Sequence, residues 1–289
     1  LLRTAVVSYL CIRHAPVLSP KYRRIGNLAA LIYDNSILMK VLIVYAHPEP
    51  QSFGGALLST AVDVLSDAGH TVVVSDLYAK KFSAMAGPDD FTDRLDADHL
   101  NMGAEQEHAA TEKSFSSEIQ GEIERLFAAD LLLMQFPLWW YSVPAIMKGW
   151  IDRVFAYGVT YDFGRTWDRG IMQGKRAMLS FTTGAPESTF APDGRNGDLE
   201  RVLWPLHAGV FAVCGFNVLQ PFVGWAPAWV GDEGRQAIIA QYTERLRTLE
   251  SDAPLFFHPH ADYDEQSRLR PETEPGTPGQ HRGTRRHLR

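Results

Sequence analysis

The chain has little cysteine: two in 289 residues, Cys11 and Cys214, far apart, with no CxxC pair and no Cys/His spacing of a metal site. That excludes a disulfide framework and makes a reducing compartment the default, so a cytoplasmic location is expected. No apolar run reaches the roughly 18 residues that span a bilayer. Positive charge is not in excess either. The formal net charge is −6, which supplies no electrostatic reason to expect a nucleic-acid partner. Neither GxGxxG nor GxxxxGK[ST] occurs, so the common dinucleotide and nucleoside-triphosphate loops are absent. The first residues lack the charge, apolar and small-residue order of a secretory signal. They also lack an initiating Met: Met39 stands directly before the first convincing strand. Residues 1–38 are therefore expected to lie upstream of the natural start, as a non-native or disordered extension.

What remains is ordinary globular material, 45% hydrophobic and 21% charged. "KVLIVYA" (40–46) is a short apolar, β-branched run, as a buried parallel strand requires. "SFGGALLSTAVDVLSDAGH" comes next with helical apolar spacing, Ser52 as N-cap and Gly69 as stop. The alternation continues: strand "TVVVSDL", helix "SSEIQGEIERLFAAD", strand "LLLMQF", helix "VPAIMKGWIDRVF" with Pro144 in its first turn, and strand "RAMLSFTTG". A helix "LERVLWPLHAGVFAVCG" interrupted by Pro205, a fifth strand "NVLQPFVGW" and a helix "DEGRQAIIAQYTERLRTLE" complete it. The polar stretch 87–113 carries no strand signal and is expected to be irregular, with Asp89, Asp90 and Asp93 on a solvated surface. Strands alternating with helices predict right-handed crossovers and a doubly wound parallel five-stranded sheet covered on both faces, a three-layer α/β domain. From about residue 265 the Pro-, Gly- and charge-rich end offers almost nothing to bury and is expected to be a disordered tail. The predicted domain is 39–264.

Ligands of such sheets sit beyond the carboxyl ends of the strands. Three loops there carry unusual residues. "HPEPQSFGGAL" leads into a helix N-terminus, where free amides and the dipole attract a phosphate, with Ser52 and His47 as added groups. "FPLWWYSVP" sets Trp139, Trp140 and Tyr141 in a row, a flat apolar platform. "TTGAPESTF" has Gly184 at its turn, where backbone amides can approach a ring and stabilise negative charge on it. An aromatic wall, amide donors and an anion-binding loop together suit a flavin. Lys148 and Asp152 are spaced as a helical ion pair, His207 falls in an apolar helix as a packed histidine, and Cys214 as a small buried hydrophobe.

The motifs "AHPEPQSFGGAL", "QFPLWWYSVPAIMKGWIDRVF", "LSFTTG", "GDLERVLWP", "CGFNVLQP" and "APLFFHP" resemble those of the flavodoxin-like NAD(P)H:quinone reductases of the DT-diaphorase type, in order, from about residue 40 to 264. The resemblance implies a homodimer with non-covalent FAD (FMN less so), passing hydride from NAD(P)H to flavin to a quinone. It implies cofactor contacts at His47, Gln51, Ser52, Phe53, Ala56, Asn101, Pro137, Leu138, Trp139, Trp140, Thr182, Thr183, Gly184, Ala185 and Arg235. Quinone and nicotinamide would stack against Trp140 and Tyr141, with Tyr161, Phe163 and Phe216 closing the pocket across the dimer. The chain departs from the family in four places: Gly54 replaces the phosphate-loop Asn, Ala185 replaces the second Gly after Thr-Thr-Gly while keeping its amide, and Phe190 and Asn196 replace a Tyr and a His beside the flavin. The amides of Gly184 and Ala185 are then left to carry the catalytic charge stabilisation. Two other roles fit the same fold: an FMN-dependent azo or nitro reductase, and a flavin-binding regulatory subunit of a potassium-efflux antiporter.

Overall fold

The computed structural model describes residues 38–277 and 280. The expected extension, except Leu38, and Cys11 lie outside the described residues. The strands are β1 (Lys40–Tyr45), β2 (Thr71–Asp76), β3 (Leu131–Pro137), β4 (Arg176–Thr182), β5 (Asn217–Val218) and β6 (Phe222–Gly224). The helices are α1 (Phe53–Asp67), α2 (Met102–Glu112), α3 (Ser117–Ala128), α4 (Ala145–Val154), α5 (Leu199–Leu206) and α6 (Gly231–Arg247). The sheet is parallel in the order β2-β1-β3-β4-β5, with β6 also on β4. This is the flavodoxin-like strand order, and its direction reverses between β1 and β3.

Strand period 2 sends alternate residues of β1 to opposite faces, and both faces are covered. Leu42 and Val44 join one core with Ile119, Leu126, Met147 and Trp150 of α3 and α4. Val41 and Ile43 join the other with Leu57, Ala61 and Leu65 of α1 and Tyr242 and Leu246 of α6. Ser52 caps α1 as expected, its Oγ accepting from the Gly55 amide at 3.1 Å. Gly69 ends the segment at φ 88°. Cys214 is buried, and burial pushes its thiol up to about 12. His207 is packed in the apolar core with Nε2 unpartnered, and burial pushes it down to about 4. Lys148 and Asp152 pair at 2.6 Å.

Three expectations need correction. The single fifth strand is two: β5 pairs the start of β4 and β6 its end. Leu219, Gln220 and Pro221 stand between them against two residues of β4, and Pro221 has no amide to give the ladder, so the strand bulges and breaks. The 87–113 stretch is not irregular throughout. It contains α2, capped by the Asn101 side chain, which accepts from the Ala104 amide at 3.3 Å. Its buried face is polar but satisfied: Glu105 takes Arg94 and the amides of Leu95 and Asp96, and Gln106 spans the Asp152 carbonyl and Tyr157 amide. Asp90 is not on a solvated surface. It is 4% exposed and pairs with Arg153 at 2.7 Å; Arg153 also donates to the Ser83 carbonyl and to Glu118.

Beyond 264 the described residues fold back on the preceding segment. Tyr263 bridges Leu269, the Gly276 amide donates to His258 Nε2 at 2.9 Å, and Thr277 is 4% exposed. Their hydrogen-bond partners lie within the 258–280 segment itself. A chain cut to Met39–Asp264 is expected to keep flavin binding while its Tm falls by a few degrees, about the loss of one or two buried hydrogen bonds. Calorimetry and flavin titration on the shortened chain check this.

Candidate active site

The carboxyl ends of β1 and β3 flank the reversal point, and their loops carry the first two predicted motifs. After β1, the Glu49 amide donates to His47 Nδ1 at 3.0 Å. The same nitrogen lies 3.0 Å from the Glu49 carbonyl oxygen, so both backbone groups of Glu49 hold the ring against the loop. Glu49 Oε1 holds the Gln51 amide at 2.8 Å, which turns the chain into α1. The loop lies hard against the first helical turn: a Cβ on Gly55 would stand 2.0 Å from the Pro50 carbonyl oxygen. Gly55→Ala must push the loop away. It is expected to cost about 1–3 kcal/mol, as overpacking does, and to weaken flavin retention. Urea unfolding and cofactor titration measure the two effects. Below the loop, Gln135 Nε2 donates to the Gly54 carbonyl at 2.8 Å and its Oε1 accepts from Tyr242 at 3.0 Å, locking β3, α1 and α6 together.

After β3, the Leu138 amide continues the ladder to the Thr182 carbonyl at 2.8 Å. Trp139 and Ser142 then exchange both backbone hydrogen bonds at 3.0 Å. The two residues between them, Trp140 and Tyr141, have φ of 52° and 60°. Positive φ at both central positions is the type I′ hairpin geometry, which favours Asn and Gly. Two large aromatics there are strained, and strain of this kind collects at functional sites. The turn lifts Trp140 clear of the protein, 95% exposed, while Trp139 lies 6.5 Å from the His47 ring, centroid to centroid. Tyr141 leans on Phe190 at 6.1 Å. Phe190 is buried and meets Trp225 at 5.5 Å. Trp225 was not among the predicted site residues, although it stands directly after a strand, β6, where ligands of such sheets sit.

After β4, Thr183 Oγ1 donates to the Ala185 carbonyl at 2.7 Å and accepts from the Ala226 amide. This fixes the turn. The amides of Gly184 and Ala185 make no hydrogen bond among the described residues, and a Cβ on Gly184 would meet nothing within 4 Å. Asn196 is occupied: its side chain donates to Thr189 Oγ1 at 3.0 Å and its amide to the Thr189 carbonyl at 2.8 Å. Arg235 donates to the Pro227 carbonyl and pairs with Asp232 in the first turn of α6.

The remaining predicted residues stand elsewhere on this chain. Tyr161 lines a hollow of about 720 Å³ with Met102, Lys148, Phe155, Gly209 and Val213, and Asn101 caps the helix beside it. Burial pushes the Tyr161 phenol up, and Cys214 and Tyr157 add to it. Phe163 is 96% exposed. Phe216 is 5% exposed, packed on Phe155 and Phe211, and precedes β5 at the amino end of the sheet. That is the edge opposite the three loops. Toward the Tyr161 hollow, the 207–214 segment presents Gly209, Val210, Val213 and Cys214 in its place.

The residues present fit a flavin by their own chemistry. The Gly184 and Ala185 amides are open donors on the loop next to the one that carries the aromatic run. A Cβ at Gly54, in the first turn of α1, would stand in ordinary contact with Ser52 Oγ at 3.4 Å, the His47 ring at 3.5 Å and the Tyr45 hydroxyl at 3.6 Å. Among the described residues no group of His, Cys, Asp and Glu is placed to hold a metal, and no helix is long and apolar enough to cross a membrane.

A doubly wound sheet with these loops at its reversal point defines a flavodoxin-like α/β protein. The family profile of the flavodoxin-like fold matches residues 39–249. The chain is 44% identical to human ribosyldihydronicotinamide dehydrogenase [quinone], over 75% of this chain and 94% of the relative. It is 39% identical to NAD(P)H dehydrogenase [quinone] 1 of Cavia porcellus, over 78% and 83%. A protein of Klebsiella pneumoniae crystallised as a candidate quinone reductase superposes with a TM-score of 0.77 at 38% identity, covering 83% of this chain and 96% of that one. The chain belongs to the flavodoxin-like family, among the NAD(P)H and ribosyldihydronicotinamide quinone dehydrogenases.

Proposed function

We propose that this protein is a cytoplasmic NAD(P)H:quinone oxidoreductase that uses FAD and works as a homodimer. The observation that carries the reading is the strained Trp140–Tyr141 turn on one loop and the open amides of Gly184 and Ala185 on the next, the two loops joined where the Leu138 amide meets the Thr182 carbonyl. The bound flavin would accept hydride from a dihydronicotinamide and deliver it to a quinone. The chain's part is position and electrostatics. Ser52, the first amides of α1 and the His47 ring hold the anionic end. Pro137, Leu138, Trp139 and Thr182 flank the ring system, and Trp140 and Tyr141 form the surface on which a flat substrate stacks. The Gly184 and Ala185 amides face negative charge as it develops. Phe190 and Trp225 exclude water behind them. Arg235, fixed by Asp232 and Pro227, stands at the far end of the same edge.

The exposed Phe163 and the hollow beside Tyr161 fit closure of the site by a second copy. The buried free thiol of Cys214 fits a reducing compartment. The test is direct. Purified protein should be yellow, release FAD on denaturation, sediment as a dimer and oxidise a dihydronicotinamide rapidly when menadione is added. NADH, NADPH and dihydronicotinamide riboside compared as donors identify the co-substrate. Released FMN with azo-dye reduction would favour the azoreductase reading, and bound flavin with negligible turnover the regulatory one.

A further inference from the structure

The Thr183 hydroxyl is engaged within the protein. The residue is 4% exposed and directly follows β4. Its backbone is pinned from both sides: the Leu138 amide meets the Thr182 carbonyl at 2.8 Å, and the Thr183 amide meets the Gly224 carbonyl at 3.1 Å. The hydroxyl donates to the Ala185 carbonyl at 2.7 Å and accepts from the Ala226 amide at 3.4 Å. Ala226 is buried with a φ of 47°, in the left-handed region that is costly for an alanine. One oxygen thus ties the turn after β4 to a strained turn after β6. What it restrains is the stretch that carries the open donors. A Cβ on Gly184 would meet nothing within 4 Å, so no side-chain packing holds that residue. Pro186 confines Ala185 to extended backbone, and the hydroxyl fixes the Ala185 carbonyl. Among the described residues, this is the hydrogen bond that bridges Thr183 and Ala185 across Gly184.

We propose that Thr183 is a positioning residue: it holds the Gly184 and Ala185 amides ready for negative charge, and so sets how much more tightly the site binds reduced flavin than oxidised flavin. This rests on the flavin reading above. Donors fixed in advance stabilise developing charge without reorganising at that moment. With Gly184 free, the same amides must be ordered as the charge appears, and glycine loses more conformational freedom on being fixed than any other residue. A hydroxyl suits both of its partners here, because it donates through its hydrogen and accepts through a lone pair. Valine has nearly the same shape and neither capacity; serine keeps both.

Thr183→Val, Thr183→Ala and Thr183→Ser in the full chain test this. Each apo-protein is melted without ligand and titrated with oxidised FAD. Each loaded protein is then equilibrated with a reference dye to read the reduction potential of its flavin. Thr183→Val should lower the apo Tm, because the Ala226 amide and the Ala185 carbonyl lose their partner. Its Kd for oxidised FAD should stay within about twofold of wild type. Reduced FAD should be held about tenfold less tightly relative to oxidised FAD, a potential lower by about 30 mV for this two-electron couple. Thr183→Ala, which crowds nothing should valine fail to fold, should show the same fall in potential. Thr183→Ser should restore the wild-type value. An unchanged potential in the variants without a hydroxyl would overturn the proposal, whatever the Tm, since equal losses for both forms of the flavin mark a purely structural hydrogen bond. So would a serine variant whose potential is as low as that of Thr183→Val. A wild-type protein that binds no flavin at all would sink the flavin reading itself and this proposal with it.

Discussion

Replacing the two residues of the aromatic turn, Trp140→Asn with Tyr141→Gly, is expected to make the protein more stable and nearly inactive. Each non-glycine residue held at positive φ costs about 1 kcal/mol or more. Trp140 and Tyr141 occupy the two positions that Asn and Gly fill most cheaply. Against that gain stands the loss of the Tyr141–Phe190 ring contact, about 0.5–1.5 kcal/mol. The net change should be a stabilisation of about 1 kcal/mol by urea unfolding. Quinone turnover should fall about a hundredfold, because substrate stacking and orientation are lost together. Trp140→Ala alone separates the contributions. The side chain is 95% exposed, so no cavity of the kind that costs a few kcal/mol opens, and flavin retention and turnover should drop without loss of the fold. A double variant that unfolds or keeps full turnover refutes the stored-strain account.

The second large effect is expected at Phe190. It offers no hydrogen-bond donor to charge on the ring system, and Asn196 is committed to Thr189. The Gly184 and Ala185 amides are then the donors available from this loop. Phe190→Tyr should speed flavin reduction by at least tenfold, bounded by the roughly 2.7–4 kcal/mol that one such donor can supply. In the wild type, neither position can titrate, so stopped-flow reduction by NADPH should show no phenol- or imidazole-type step between about pH 6 and 9. A clear titration that survives His47→Gln would mean that another acid or base has taken over.

The site was legible to the extent that its residues stand just after strands. The helix-capping Ser52, the Trp139–Tyr141 run and the Thr182–Ala185 turn are local patterns, and the rule that ligands sit at carboxyl ends ordered them. Trp225 was not legible, because a single aromatic after a short strand forms no motif; only the tertiary packing sets it against Phe190. Helix α2 was hidden for a related reason. Its inward face is Glu105, Gln106 and Ala109, so it lacks the apolar period that marks a helix, and its polar groups are satisfied by residues far along the chain. Its Ala- and Glu-rich composition was the available signal. Asp90 misled in the same way: its partner Arg153 is 63 residues distant.

Phe216 marks the limit of motif matching. A shift of a few residues in a helical stretch exchanges a pocket-facing residue for a core one, and the π-helical segment His207–Ala212 after Pro205 rotates the faces further. By itself the sequence determined the doubly wound class, the alternation of strands and helices along the chain, and the loops that meet at the sheet's edge. All three rest on periodicity and turn chemistry, which act over a few residues. The tertiary structure alone decided which polar groups are buried with partners and which without. It also decided that the aromatic run is a strained turn aimed outward, and that the fifth strand breaks at Pro221. Each of those depends on what another segment of the chain brings into contact, and no local pattern records that.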